Sequence, residues 1–181
     1  KRDTEIQFAR LFGNTPLQVE MILMTTASYT PQNTEPGYLR RFYRQLDDVR
    51  DDYFDALIIT GAPIETLPFE NVKYWAELTE IMEWSRDHCF RRLGVCWGAQ
   101  ALLWHFHKVQ KHELKAKLFG IFERYLSDVS GRLMHGFTDR FPMPASRYTM
   151  NRSEDLKAAG LNVLAEGGEC GAGMVRDPET G

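Results

Sequence analysis

The chain has 181 residues, 43 % of them apolar, and a formal net charge of −3 spread along its length. That size fits one domain with a real core, and the basic pairs Arg40/Arg41 and Arg91/Arg92 are too short to track phosphates, so no nucleic-acid partner is expected. No apolar run approaches the roughly 20 residues of a membrane span, and the charged start KRDTEIQFAR has no signal-peptide core, so a cytoplasmic protein with no membrane partner is expected.

LQVEMILM (Leu17 to Met24) is apolar with alternation and predicts a strand, followed by the long polar loop TTASYTPQNTEPG. Leu39, Phe42, Tyr43 and Leu46 recur at helical spacing over Tyr38 to Val49, and DALIIT (Asp55 to Thr60) predicts a strand stopped by GAP. WAELTEIMEWSRDH then predicts a helix with Trp75, Leu78, Ile81, Met82 and Trp84 on its apolar positions, RLGVC a short strand and AQALLWHFH a helix. Strands alternating with helices imply a parallel sheet covered on both faces. Beyond Lys108 the short pieces FGIFERYL, NVLAE and GAGMVRD predict an antiparallel extension or edge of that sheet. No linker divides the chain, so residues 1–181 are expected to form a single domain. The closing RDPETG holds turn residues with no returning strand, which predicts an incomplete chain.

GVCWGAQA (Gly94 to Ala101) joins the predicted strand to the predicted helix and sets Cys96 on the turn between them. Gly94 and Gly98 give G-x-C-x-G, the cysteine counterpart of the serine nucleophile elbow, in which small neighbours let the backbone bend sharply. The free amides and positive dipole end of the following helix favour a thiolate, and the Trp97 amide can face a developing oxyanion. Most cysteines are packing residues, and Cys89 and Cys170, which lack such a setting, are read that way. Without CxxC spacing or an even count, the three cysteines are expected to be reduced. In a parallel sheet LIITGAP would lie beside the elbow, so amides around Gly61 and Ala62 could supply a second oxyanion donor. Of the candidate bases, His105 and His107 lie on the helix after the elbow, His88 ends the preceding helix, and His112 and His135 fall in polar loops. None has a spacing that makes it the partner of Cys96, and no Cys/His pattern predicts a metal.

FARLFGNTPLQVEMILM, LIITGAPIETLPFENVKYWAELTEIMEWSRDH, LGVCWGAQALLWHF, KLFGIFE, and HGFTDRF with PASRYT, in this order, resemble the MetA-type homoserine O-acyltransferases over almost the whole chain. The elbow alone also looks like that of the class I glutamine amidotransferases, which share the core. The resemblance implies an α/β, flavodoxin-like three-layer fold with a mostly parallel central sheet, class I glutamine amidotransferase-like. It also implies a ping-pong reaction: a cysteine takes an acyl group from acetyl-CoA or succinyl-CoA, and the hydroxyl of L-homoserine then attacks the thioester. The product enters methionine biosynthesis. Acyl-CoA is then a co-substrate with no bound cofactor, and a homodimer is expected. Cys96 matches the acylated nucleophile and Lys117 a lysine of the acyl and oxyanion site. Arg147, with Ser146 beside it in PASRYT, matches the substrate pocket, where a guanidinium could pair with the amino-acid carboxylate. Glu65 stands where a glutamate goes with acetyl-CoA and a glycine with succinyl-CoA; a carboxylate there narrows the pocket and repels a succinyl carboxylate. Acetyl transfer is therefore the expected reaction.

The chain also departs from the family pattern. It lacks the G-H-x-E-Y-like motif that carries the catalytic histidine and its glutamate, and the family's opening strand before Lys1. Ala145 and Arg124 each stand where histidine is common. General acid and base roles contribute about 10²- to 10⁴-fold in rate, so the chain by itself is expected to be nearly inactive and incomplete at both ends. Two alternatives remain. One is a glutaminase domain of an amidotransferase, supported by GVCWGAQ but not by YWAEL or KLFG; the other is a non-enzymatic relative, if the protein ends at Gly181.

Overall fold

The computed structural model describes residues 2–29, 36–127 and 132–180. A first helix, α1 (Arg2–Gly13), precedes a two-residue strand, β1 (Leu23–Met24). Only this end of LQVEMILM finds a ladder: Leu23 and Met24 pair in parallel with Tyr43 and Arg44, whereas Leu17 and Val19 are exposed and outside any strand. The eight-residue strand expected there is thus shortened to its paired part, because alternation alone leaves backbone amides without partners.

The single helix expected over Tyr38 to Val49 is interrupted. It consists of α2 (Pro36–Phe42), the strand β2 (Tyr43–Arg44) that pairs with β1, and α3 (Leu46–Val49). Gln45 restarts the helix, its amide donating to the Asp48 carboxylate at 2.8 Å. Leu46 and Val49 point into a core with Ile81, Trp84 and Cys89, so the helical spacing was real even though the ladder to β1 breaks the helix.

The next four elements follow the sequence pattern closely. Strand β3 (Phe54–Ile59) and helix α4 (Trp75–His88) are followed by strand β4 (Cys89–Gly94) and helix α5 (Trp97–His107). β3 and β4 are parallel, with Ile58 opposite Leu93 and Ile59 opposite Gly94. Cys89 opens β4 and is buried, as a packing cysteine would be. Ile59, Leu78, Met82, Trp97 and Ala101 form one core with Phe69 and Val72, so β3, α4 and α5 are held together directly beneath the cysteine turn. Met82 is wholly enclosed, and burial of such a side chain contributes about 2 kcal/mol.

The later strands form a sheet of their own: β5 (His112–Leu126), β6 (Arg140–Met150), β7 (Asn162–Gly167) and β8 (Gly171–Arg176), in the antiparallel order β6-β5-β7-β8. They therefore do not extend the β3–β4 ladder. Pro142 and Pro144 hide β6 in the sequence pattern, yet among the described residues β6 is an edge strand, where a missing amide donor is tolerated. A short helix, α6 (Ser153–Ala158), packs Leu156 against Val109, Leu161 and Val163. Asp177 closes the last turn by accepting from the Glu179 amide at 2.9 Å and the Thr180 hydroxyl at 2.7 Å. Among the described residues no helix is long and apolar enough to cross a membrane.

One clasp joins the N-terminal segment to this core. The Glu77 carboxylate, in the first turn of α4, accepts from the amides of Ala27 (2.6 Å) and Ser28 (2.8 Å) and from the Ser28 hydroxyl (2.5 Å). Burial opposes its ionisation, but the Ser28 hydroxyl and the two amides outweigh it and hold the carboxyl below the usual range. A carboxyl depressed on folding stabilises above its unfolded value and loses that contribution as pH falls through the folded one. Glu77→Gln should therefore lower stability by about 1 kcal/mol at neutral pH and flatten the acid limb of the stability profile. Denaturant midpoints measured from neutral to acidic pH check this; a constant deficit across that range would remove the carboxylate's role.

Candidate active site at the cysteine turn

The site begins with a backbone constraint. Gly94 ends β4, Val95 donates its amide to the Ile59 carbonyl at 2.9 Å, and the chain reverses at Cys96 into α5. A Cβ at Gly94 would lie 2.3 Å from the Ala99 Cα, and one at Gly98 would lie 2.1 Å from the Ile59 carbonyl oxygen. Both glycines are therefore required for backbone to approach backbone. Cys96 itself adopts φ +56° and ψ −121°, a left-handed conformation that costs a non-glycine residue about 1–3 kcal/mol. Such strain is sustained by the packed elements on either side, and its effect is to lift the thiol out of the core. Cys96 is exposed, whereas Cys89 and Cys170 are buried.

A cleft of about 490 Å³ opens over that thiol, lined by Gly61, Ala62, Pro63, Glu65, Thr66, Cys96, Lys117, Ser146 and Tyr148. Five of the sequence-predicted site residues, Cys96, Ala62, Glu65, Lys117 and Ser146, thus converge from the β3 end, the turn, β5 and β6. Trp97 is the first residue of α5, so its amide belongs to the donors without an intrahelical partner, while its side chain is buried in the core at 2 % exposure. A Cβ at Gly61 would touch the Cys96 Cβ at 3.0 Å, which shows how closely the post-β3 turn approaches the thiol.

Lys117 is placed by an irregularity. The β5–β6 register breaks between Glu113 and Leu118, and the extra residues on β5 turn Lys117 toward the cleft. Its ammonium lies 5.5 Å from the ring centroids of both Phe119 and Tyr148. The Glu65 carboxylate accepts from the Tyr148 amide at 3.3 Å, tying the post-β3 turn to β6. Deeper in, Gln100 of α5 and Thr149 of β6 exchange hydrogen bonds at 3.0 and 3.1 Å in a buried pair, which fixes the strand that carries Ser146 against the helix that follows Cys96.

Arg147 does not line the cleft. On a strand it faces away from Ser146 and Tyr148, and it is half-buried with its guanidinium donating to the Cys170 carbonyl. Its Nε is buried with no hydrogen-bond partner among the described residues. Burial pushes Arg147 below the ordinary arginine range, Arg124 adds repulsion, and the Cys170 and Cys96 thiols act in the opposite direction. Arg124, at 1 % exposure, donates to the carbonyls of Cys170 (3.0 Å) and Gly171 (2.6 Å).

None of the five histidines lines the cleft. His105 meets Glu83 at 2.6 Å and His107 meets Asp177 at 3.3 Å; His112, which lies in β5 rather than in a loop, meets Asp155 at 2.6 Å. These pairs bind α5 to α4, to the last turn, and β5 to α6. Tyr148, Thr66 and Lys111 were not singled out in the sequence. Tyr148 became legible only with β6, whose alternation places it on the same face as Ser146.

Comparison with known proteins adds lineage to this geometry. The solved glutaminase domain of Trypanosoma brucei CTPS with bound acivicin has a TM-score of 0.58 at 12 % identity, over 88 % of this chain and 82 % of that one. A proposed GMP synthase component from Thermoplasma acidophilum has a TM-score of 0.56 at 15 % identity, over 90 % and 81 %. The fold is thus class I glutamine amidotransferase-like, a flavodoxin-like α/β arrangement. The homoserine O-acetyltransferase of Synechococcus elongatus is 49 % identical over 99 % of this chain and 60 % of its own length, and that of Clostridium beijerinckii 47 % identical over 95 % and 57 %. The chain spans about 60 % of the length of the curated relatives it matches. A family model for homoserine O-succinyltransferase matches residues 1–180. With the whole described chain covered by that match, the protein belongs to the homoserine O-succinyltransferase family.

Proposed function

We propose that the complete protein transfers an acetyl group from acetyl-CoA to the hydroxyl of L-homoserine through a thioester on Cys96. The observation that carries this reading is the strained turn that exposes Cys96 in a cleft shared with Ala62, Glu65, Lys117 and Ser146. In the first half-reaction the Cys96 thiolate attacks the acyl-CoA carbonyl, the Trp97 and Ala62 amides receive the oxyanion, and collapse expels the CoA thiolate. Lys117, at the cleft wall, adds positive charge beside the oxyanion. In the second, the homoserine hydroxyl attacks the Cys96 thioester, passes its proton to solvent water and releases Cys96 as thiolate, leaving the acyl group on the homoserine oxygen. Ser146 contacts the acceptor, and the positive charge of Arg147, next to Ser146 on β6, favours the acceptor carboxylate at longer range. The product, an O-acylated homoserine, is an intermediate for methionine biosynthesis.

Glu65 supports acetyl over succinyl as the donor group, because its carboxylate lines the cleft and would face the distal carboxylate of a succinyl chain. The test is a donor assay on the complete protein with homoserine present. CoA release should be faster from acetyl-CoA than from succinyl-CoA, and Glu65→Gly should shift the ratio of the two kcat/KM values toward succinyl by about tenfold or more. Glutamine supplied alone should yield no ammonia; ammonia without CoA release would make the protein a glutaminase instead.

A further inference from the structure

We propose that Lys111, which does not line the cleft, is a positioning residue that sets donor preference by clamping the wall carrying Glu65; the proposal rests on the acyltransferase reading above. The wall is the segment from Gly61 to Leu67, which follows β3 and contributes Gly61, Ala62, Pro63, Glu65 and Thr66 to the cleft. It belongs to no helix or strand, and the backbone bonds within it are short-range: Ile64 to Ala62 at 2.9 Å and Leu67 to Ile64 at 3.0 Å. Such a turn has little shape of its own and takes it from what grips it.

Two groups grip it. On the cleft side the Tyr148 amide donates to the Glu65 carboxylate at 3.3 Å. From outside the cleft lining the Lys111 ammonium donates to the Glu65 carbonyl at 2.6 Å and to the Leu67 carbonyl, and it sits 4.2 Å from the Phe69 ring centroid. Glu65 is thereby held at its side chain from β6 and at its main chain from the residue that precedes β5. One anchor lies on β6 and the other at the entry to β5, strands of the antiparallel sheet that also carries Lys117 and Ser146. The clamp thus fixes Glu65 relative to the other cleft residues as well as to β3.

The choice of an ammonium has a cost that a packing residue would avoid. Burial pulls the Lys111 amine below the ordinary lysine range, against the favourable charges of Glu65, Glu70 and Glu113. A methionine would fill similar space on Phe69 without that penalty but could hold neither carbonyl. The exposed carbonyls would then be solvated and the turn would relax with the rest of the fold in place. Glu65 would lose its fixed depth in the cleft, and with it the contrast between a short neutral acyl group and a carboxylate-bearing one.

The test compares Lys111→Met and Lys111→Arg with the wild type in the complete protein, reading kcat/KM for acetyl-CoA and succinyl-CoA, KM for homoserine, Tm, and hydrogen exchange of the 61–67 amides. Lys111→Met should lower the acetyl-to-succinyl ratio by about tenfold and speed exchange in 61–67, with the homoserine KM held within about twofold of wild type. Lys111→Arg should restore most of the ratio, since a guanidinium also donates to two carbonyls. Equal loss on both donors in step with a lower Tm would reduce Lys111 to a structural residue and overturn the proposal. Unchanged exchange in 61–67 would overturn the clamp whatever the donors show. A wild-type protein that uses neither donor would overturn the acyltransferase reading itself, and the exchange measurement would still report on the clamp.

Discussion

Cys96→Ser in the complete protein is expected to abolish the acyl-enzyme seen by intact mass after incubation with acetyl-CoA and to lower turnover by about 10³-fold or more. The reason lies in what the turn supplies. The turn presents the residue at the amino end of α5 inside the cleft, and there a thiol is an intrinsically far better nucleophile than the alcohol that replaces it. An adduct that survives the substitution would place the acyl group on another residue and end the case for Cys96. The same position yields a second, opposite readout. Because Cys96 holds φ +56°, Cys96→Gly should be just as inactive yet more stable by about 1 kcal/mol, the relief of strain exceeding glycine's entropy cost. A stabilised, inactive variant would show that the strain serves the site; a destabilised one would show that the thiol's packing outweighs it.

The same turn explains why part of this protein could be read from its sequence and part could not. Helices α4 and α5 and strands β3 and β4 carry long, regular apolar patterns, and each is satisfied by neighbours close in the chain, so Trp75, Leu78, Met82 and Ala101 appear where their spacing places them. The G-x-C-x-G signal was legible for a related reason: Gly94 and Gly98 have no alternative role, as the contacts a Cβ would meet at each position show. By contrast, β1 depended on where Tyr43 and Arg44 would offer a ladder, which no local pattern encodes. β6 was hidden by prolines that only an edge position tolerates, and with it went Tyr148 and the Gln100–Thr149 pair. Arg147 matched a substrate-pocket residue by its motif, yet strand alternation turns it to the far side of β6 from Ser146. There its guanidinium donates to the Cys170 carbonyl instead of lining the cleft. Motifs identify residue types, and only the strand's pleat decides which of two neighbours meets the ligand.

Gly98→Ala carries the largest expected effect on the fold. The added Cβ would stand 2.1 Å from the Ile59 carbonyl oxygen, 2.6 Å from its carbon and 2.9 Å from the Thr60 carbonyl oxygen, all backbone atoms at the end of β3. No side-chain rotation can relieve such a contact. Either α5 withdraws from β3 or β3 shifts, and both options disturb the core formed by Ile59, Met82, Trp97 and Ala101. Overpacking a core costs about 1–3 kcal/mol where side chains can adjust, and a backbone clash lies at or beyond the upper end of that range. Against a typical domain stability of about 5–15 kcal/mol, the variant should unfold at a clearly lower denaturant concentration. Activity should fall further than stability does. Moving α5 moves the Trp97 amide and the Cys96 thiol together away from Gly61 and Ala62, and a displacement of about 1 Å can cost roughly 10²-fold in rate. Gly136→Ala supplies the contrast, because among the described residues no atom beyond its chain neighbours lies within 4 Å of the added Cβ, although its φ of +91° strains any side chain. Gly136→Ala should therefore lower stability while leaving acylation of Cys96 intact in the molecules that remain folded. If Gly98→Ala behaved in the same way, acylating Cys96 at the wild-type rate once folded, the close approach of α5 to β3 would be a requirement of folding alone and not of the site.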